Sequence, residues 1–180
     1  MKRIITYSML MCVAIMLNAQ MPKLEKLPIT TLELDTLPSV EITQSLAEKL
    51  LGESALGLVE TDKPNWNFCG FEKEPSSDYY VRFYSYGCYE EDNQSYYIIG
   101  KKSIAKDNES YFEEEFFLVK ENHEKIRSVL ISRSLYGRPQ QAVFAITDNG
   151  CLYVMFITKE GYIDQEMYDL TTLSEISKGL

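Results

Sequence analysis

The sequence predicts a mainly β protein, an antiparallel sandwich or barrel-like meander with a short N-terminal helix. Between about Leu56 and Leu170, runs rich in β-branched and aromatic residues recur, among them VRFYSYG, FFLV and CLYVMFIT. Turn-forming residues separate these runs, and no repeat has a propeller or solenoid period. The alternative is an α+β fold, in which one curved antiparallel sheet packs against a helix.

Turn chemistry predicts that the last three strands form a meander. The Asn-Gly pair at 149–150 lies between AVFAI and CLYVMFI, and this pair is a strong hairpin signal. Gly161 can supply the positive φ that the following turn needs. A further hairpin is predicted at residues 121–124, although ENHEKIRSVL could instead begin a helix.

Short helices are predicted on either side of the strands. The segment 43–51, TQSLAEKLL, carries apolar residues spaced four apart, with Ser45 and Glu48 at capping-box spacing. The C-terminal TTLSEISKGL has Thr172 and Glu175 at the same spacing, which predicts a short helix at most.

The N-terminal part of the chain predicts export. Residues 1–19 combine Lys2 and Arg3 with a short apolar run and small or polar residues, as in a secretory signal peptide. An uncleaved anchor is the alternative. We expect a bacterial protein in the periplasm, outside the cell or on its surface, with no stable membrane insertion after cleavage of the signal peptide.

The remaining chain divides into a linker and one domain. Residues 20–40 contain three prolines, which disfavour a helix and predict an extended linker. Within it, Asp35-Thr36-Leu37 resembles the acceptor of a general O-glycosylation system of some Gram-negative bacteria. Residues 41–180 are long enough for one β-rich domain with a single core.

The charge balance limits the class of partner. The formal net charge is −9, and loss of Lys2 and Arg3 with the signal peptide would lower it by two, to −11. An acidic surface repels phosphate backbones and anionic membranes, so we expect no nucleic-acid partner. Cys69, Cys88 and Cys151 would remain in the exported chain, and they leave any disulfide pairing open.

Catalytic, metal and cofactor motifs are not evident. His123 is the one histidine, and it lies in a charged stretch without a nucleophile elbow elsewhere in the chain. We therefore predict no catalytic residues, no metal site and no cofactor. The remaining catalytic option is a carboxylate-based hydrolase such as a glycosidase, with two acidic clusters as its source: Glu90, Glu91 and Asp92, and Glu113, Glu114 and Glu115. Alternation would place Glu113 and Glu115 on one face of a strand, and such runs are usually solvated.

Aromatic residues suggest a binding surface instead. Seven of the thirteen tyrosines lie between Asp78 and Gly100. Strand alternation places Tyr80, Arg82, Tyr84, Tyr86 and Cys88 on one face and the intervening residues on the other. The first four of these, together with Trp66, are the predicted ligand-binding residues, because tyrosine and tryptophan offer apolar area with a polar tip.

These observations favour a binding or protein-interaction module over an enzyme. Its partner would be a saccharide, a peptide or another protein, bound on an exposed tyrosine-rich sheet face. An inhibitor or immunity-type protein that binds a basic partner is an alternative, because the chain is small and acidic. Tyrosine also has high strand propensity, so a purely structural role for the tyrosines is the competing interpretation.

Overall fold

The computed structural model describes most of the chain beyond the predicted signal peptide. The described ranges are 21–51, 79–91, 94–109, 112–121, 126–135, 142–157 and 163–178. The predictions made for the signal peptide, Trp66, Cys69, His123 and Gly161 lie outside these residues.

Within the described residues, nine strands form one antiparallel sheet whose strand order follows the chain and which does not close. The elements are helices α1 (Thr31–Leu34) and α2 (Gln44–Leu51), and strands β1 (Val40–Ile42), β2 (Tyr79–Glu91), β3 (Gln94–Ala105), β4 (Phe112–Glu121), β5 (Ile126–Leu135), β6 (Ala142–Ile146), β7 (Cys151–Ile157), β8 (Ile163–Asp169) and β9 (Ser174–Lys178). The prediction of a mainly β antiparallel meander with a short N-terminal helix is confirmed.

Helix α2 covers one face of strands β2–β5, which we call the helix face. The helix begins after Thr43, whose hydroxyl accepts a hydrogen bond from the Leu46 amide at 3.4 Å, so Thr43 and not Ser45 is the capping residue. Its apolar side packs into a core with residues of four strands: Ala47, Leu50 and Leu51 with Ile42, Phe83, Ile99, Phe117 and Val119.

The opposite face of β2–β5 forms a second core. Its members come from the centre of the sheet, from β6 and β7, and from the N-terminal segment, which we define as residues 21–39: Leu27, Leu34, Ile98, Phe116, Leu118, Ile131, Phe144, Leu152 and Val154. The register joins β5 to β6 through Arg133 and Ala142. Phe144 of β6, and Leu152 and Val154 of β7, belong to this second core.

The N-terminal segment packs on the sheet and connects β2 with β6. At one end, the Cys88 amide donates to Pro22 O and the Leu24 amide donates to Cys88 O, both at 2.8 Å. At the other end, the Ile146 amide donates to Ile29 O at 2.8 Å. These contacts were not anticipated by the prediction of an extended linker, because side chains such as Leu27 provide burial that proline content alone does not reveal.

The hairpins agree with the predicted turn chemistry. Strands β6 and β7 pair around residues 147–150, where Gly150 has φ of 76°. Strands β4 and β5 pair antiparallel, which selects the hairpin over a helix.

The predicted C-terminal helix is wrong, because this segment forms strand β9 against β8. The Asp169 carboxylate accepts hydrogen bonds from the Thr172 amide at 2.7 Å and the Thr172 hydroxyl at 2.9 Å. These bonds stabilise a turn over 170–173 in which Leu173 has φ of 47°. Pairing with β8 outweighs the local helix signal.

Candidate functional site

The predicted binding residues on β2 share one face of the sheet, and we call Tyr80, Arg82, Tyr84 and Tyr86 the tyrosine patch. Arg82 is exposed, whereas the three tyrosines are half-buried. The patch lies on the face opposite α2, because Phe83, the neighbour of Arg82 and Tyr84, belongs to the helix-face core.

A β-bulge at Tyr86 changes the predicted alternation beyond that residue. Ser85 pairs with Ile99 and Gly87 pairs with Ile98, so β2 has one extra residue between them. Cys88 is consequently buried in the helix-face core and does not extend the tyrosine patch. The prediction that Cys88 shares a face with Tyr86 is wrong, because strict alternation cannot anticipate a bulge.

Tyr86 is the anchored member of the patch. Its ring meets Phe116 edge to face with centroids 4.9 Å apart, and its hydroxyl donates to Glu114 Oε1 at 3.0 Å. Burial is the main cause of its raised pKa, and the nearby Glu114 carboxylate adds to it. Tyr86 therefore stays a neutral hydrogen-bond donor at physiological pH.

Tyr80, Arg82 and Tyr84 form the accessible part of the patch. The Arg82 guanidinium lies 5.2 Å from the centroid of the Tyr80 ring, which is a cation–π distance. The Tyr80 hydroxyl donates to Glu109 Oε1 at 2.8 Å, and this bond is the main cause of the raised pKa of Tyr80. A hydrogen bond with Tyr84 is the main cause of the raised pKa of Arg82.

The structure adds neighbours that were not predicted. Lys102 on β3 pairs with Arg82, and its Nζ lies 3.7 Å from the centroid of the Phe112 ring on β4. Both side chains are half-buried. Alternation within KKSI and YFEEE separates Lys102 and Phe112 from their sequence neighbours, but it does not show which face of each strand lies beside the patch. The register between the strands shows this.

Three further tyrosines of the stretch, Tyr89, Tyr96 and Tyr97, lie outside the patch. Tyr89 and Tyr96 pair across β2 and β3 on the patch side of the sheet, with ring centroids 6.2 Å apart. Tyr97 is buried in the helix-face core and donates to Glu121 Oε2 at 2.8 Å. Tyr96 is also buried, so both tyrosines mainly have packing roles.

The acidic cluster on β4 is divided between the two faces, as alternation predicts. Glu114 bonds to Tyr86, whereas Glu113 and Glu115 lie on the helix face and form ion pairs with Arg133 of β5. The expectation that this run is solvated is wrong for Glu113 and Glu115, which are 4% and 5% exposed. Glu90 and Glu91 are exposed at the far end of β2.

Glu115 also belongs to a buried ion pair. Its Oε2 lies 2.9 Å from Lys101 Nζ, and the two side chains are 7% and 5% exposed. Burial is the main cause of the raised pKa of Glu113, and Arg133 opposes this shift. The network links β3, β4 and β5, so its carboxylates have basic partners within the protein.

Two cysteines lie within the described residues, and both are free thiols. Cys88 is buried, and burial is the main cause of its pKa of about 11. Cys151 is half-buried on β7. Across the described ranges, no group of three or more His, Cys, Asp or Glu side chains could hold a metal ion. In the same part of the chain, no helix has the length and apolar character needed to cross a bilayer.

Comparison with known proteins gives no relative: no protein-family model, curated protein or solved structure matches this chain.

Proposed function

We propose that this chain is an exported binding module whose ligand contacts the tyrosine patch. The observation that supports this best is the arrangement of Tyr80, Arg82 and Tyr84. They share one sheet face, Arg82 is exposed, and the two rings are half-buried. Rings of this kind provide apolar contact area together with hydroxyl groups.

A saccharide is the ligand class that we favour over a peptide. The surface combines aromatic rings with polar groups of both signs. Lys102 pairs with Arg82 on one neighbouring strand and with Glu114 on the other. The hydroxyls of Tyr80 and Tyr86 donate to the carboxylates of Glu109 and Glu114. Sugar hydroxyls both donate and accept hydrogen bonds, so they suit such a mixture. The apolar faces of sugar rings can stack on tyrosine.

Anchoring of one tyrosine is consistent with a preformed surface. Tyr86 is held by Phe116 and Glu114, so it needs little reordering when a ligand binds next to it. A surface that is already ordered loses less conformational entropy on binding.

A glycan array probed with the exported chain tests this function. We expect selective binding to a subset of glycans and loss of that binding in Tyr84→Ala. Tyr153→Ala is the matched control, because Tyr153 is also half-buried but lies on β7. Pull-down experiments with the same variants would detect a protein partner. If only a basic protein were captured, independently of Tyr84, the inhibitor-type alternative would replace the saccharide-binding proposal.

A further inference from the structure

Two basic side chains meet at the end of the sheet near the turn between β8 and β9. The register places Lys120 of β4 directly opposite Arg127 of β5, and Tyr96 of β3 opposite Lys120. Like charges that are directly opposite in an antiparallel pair are destabilising. Two basic groups therefore lie side by side at this end of the sheet, where the carboxylates of Glu91 and Asp169 are also near.

Lys120 is buried without a salt-bridge partner among the described residues. It is 3% exposed, and its Nζ lies 5.3 Å from the centroid of the Tyr96 ring. None of the ion pairs within the described ranges includes Lys120 or Arg127. Burial lowers the pKa of Lys120, which is the expected direction for an ammonium that lacks a close counterion.

The turn over 170–173 covers this pair. Arg127 Nη1 donates to Thr172 O at 3.2 Å and also bonds to the Ser174 hydroxyl. The Tyr96 hydroxyl donates to Gln94 Oε1 at 3.0 Å and also lies 3.5 Å from Leu170 O. These contacts bring groups from β3, β5 and β9 to one place, and they use only part of the donor capacity of the Arg127 guanidinium.

Among the described residues, the carboxylates near the pair form no ion pair with Lys120 or Arg127. Asp169 favours the charged form of Lys120, but its Oδ1 accepts both the amide and the hydroxyl of Thr172. Glu91 is exposed and acts on Tyr96. Within the described ranges, Lys120 and Arg127 therefore keep donor groups that no carboxylate occupies, although Asp169 acts on Lys120 at longer range.

We propose that Lys120, Arg127 and the Ser174 hydroxyl bind a tetrahedral oxyanion, phosphate or sulfate, either free or as the terminal group of an ester. Arginine supplies a planar fork of donors and lysine supplies a point charge, a combination suited to such anions. The three groups come from three strands, which matches the oxygens of a tetrahedral anion better than the two coplanar oxygens of a carboxylate. This site is separate from the tyrosine patch and does not depend on its function.

Thermal unfolding of the exported chain tests the site. Inorganic phosphate, glycerol phosphate and acetate are titrated separately at constant ionic strength set by sodium chloride. At a tenfold excess over Kd, we expect phosphate or its ester to raise Tm by about 3–5 °C, and acetate to have little effect. Lys120→Met should abolish this shift. Lys49→Met is the matched control, because Lys49 is exposed on α2 and its replacement removes the same charge.

A second variant addresses any effect of Lys120→Met on folding. Arg127→Lys keeps the charge but removes the fork, and we expect it to weaken phosphate binding about tenfold. A response to glycerol phosphate alone would assign the site to an ester, and a response to inorganic phosphate alone would assign it to the free ion. The proposal is overturned if the wild type shows no saturable shift, if Lys120→Met shows the same shift, or if acetate equals phosphate.

Discussion

The ring of Tyr86 lies against Gly100 of the neighbouring strand. A Cβ added to Gly100 would lie 2.6 Å from Tyr86 Cε2, which is closer than real Cβ contacts allow. Glycine at position 100 therefore makes room for the ring, and the β-bulge at Tyr86 turns the ring toward it. This relationship holds one end of the tyrosine patch in place.

Replacement of Gly100 by alanine should displace the Tyr86 ring. The substitution would disturb its contact with Phe116 and its hydrogen bond to Glu114, so we expect a loss of about 1–3 kcal/mol in the free energy of unfolding. Tyr86→Phe removes only the hydroxyl and should cost about 1 kcal/mol. Urea unfolding of the two variants measures both losses, and an unchanged stability of Gly100→Ala would show that the ring does not need this space.

Replacement of Gly87 by alanine should loosen the N-terminal segment. Gly87 has φ of 144°, and an added Cβ would lie 2.5 Å from Leu24 Cγ. Gly150→Ala is the control, because Gly150 also has positive φ, 76°, but has no neighbour within 4 Å of the added Cβ. We expect faster hydrogen exchange of the Leu24 and Cys88 amides only in Gly87→Ala. If both variants showed equally faster exchange of these amides, backbone strain alone would explain the effect, and the contact with Leu24 would not be needed.

The buried pair of Lys101 and Glu115 should be costly to break from one side. Glu115→Leu leaves the Lys101 ammonium buried without this partner, so we expect a loss of about 3–5 kcal/mol in the free energy of unfolding. The double variant with Lys101→Met should lose less than Glu115→Leu alone, because it also removes the buried charge that has lost its Glu115 partner. A double-mutant cycle by urea unfolding measures this coupling, and simple additivity would contradict it.

Glu113 should make stability depend on pH. Burial raises its pKa above its ordinary value of 4.5, so the folded protein binds this proton more tightly than the unfolded chain does. The resulting stabilisation is complete below that value and is lost as the pH rises through the folded pKa. Relative to Glu113→Gln, the wild type should therefore lose stability as the pH rises from about 4.5 through the folded pKa. A relative gain over this range would mean that the attraction of Arg133 outweighs burial.

Local patterns predicted much of the sheet. Alternation separated Glu114 from Glu113 and Glu115, and the Asn-Gly pair at 149–150 located a hairpin. These features depend on residues close in sequence, where steric preference and turn geometry decide the conformation.

Features that depend on distant contacts were missed. The bulge at Tyr86 coincides with the packing of Leu24 on Gly87, and it changes the face on which Cys88 lies. Strand β9 forms because β8 offers an edge, which a capping-box pattern cannot indicate. Likewise, Glu115 was expected in a solvated run, whereas the register pairs it with Lys101 of the neighbouring strand.

The most direct test of the central claim is the dissociation constant for the glycan that the chain without residues 1–19 binds best on the array, measured by isothermal titration calorimetry. Tyr84→Ala should weaken this binding at least tenfold, which corresponds to about 1.4 kcal/mol, while Tyr153→Ala should leave it unchanged. An unchanged dissociation constant in Tyr84→Ala would exclude the tyrosine patch as the binding surface.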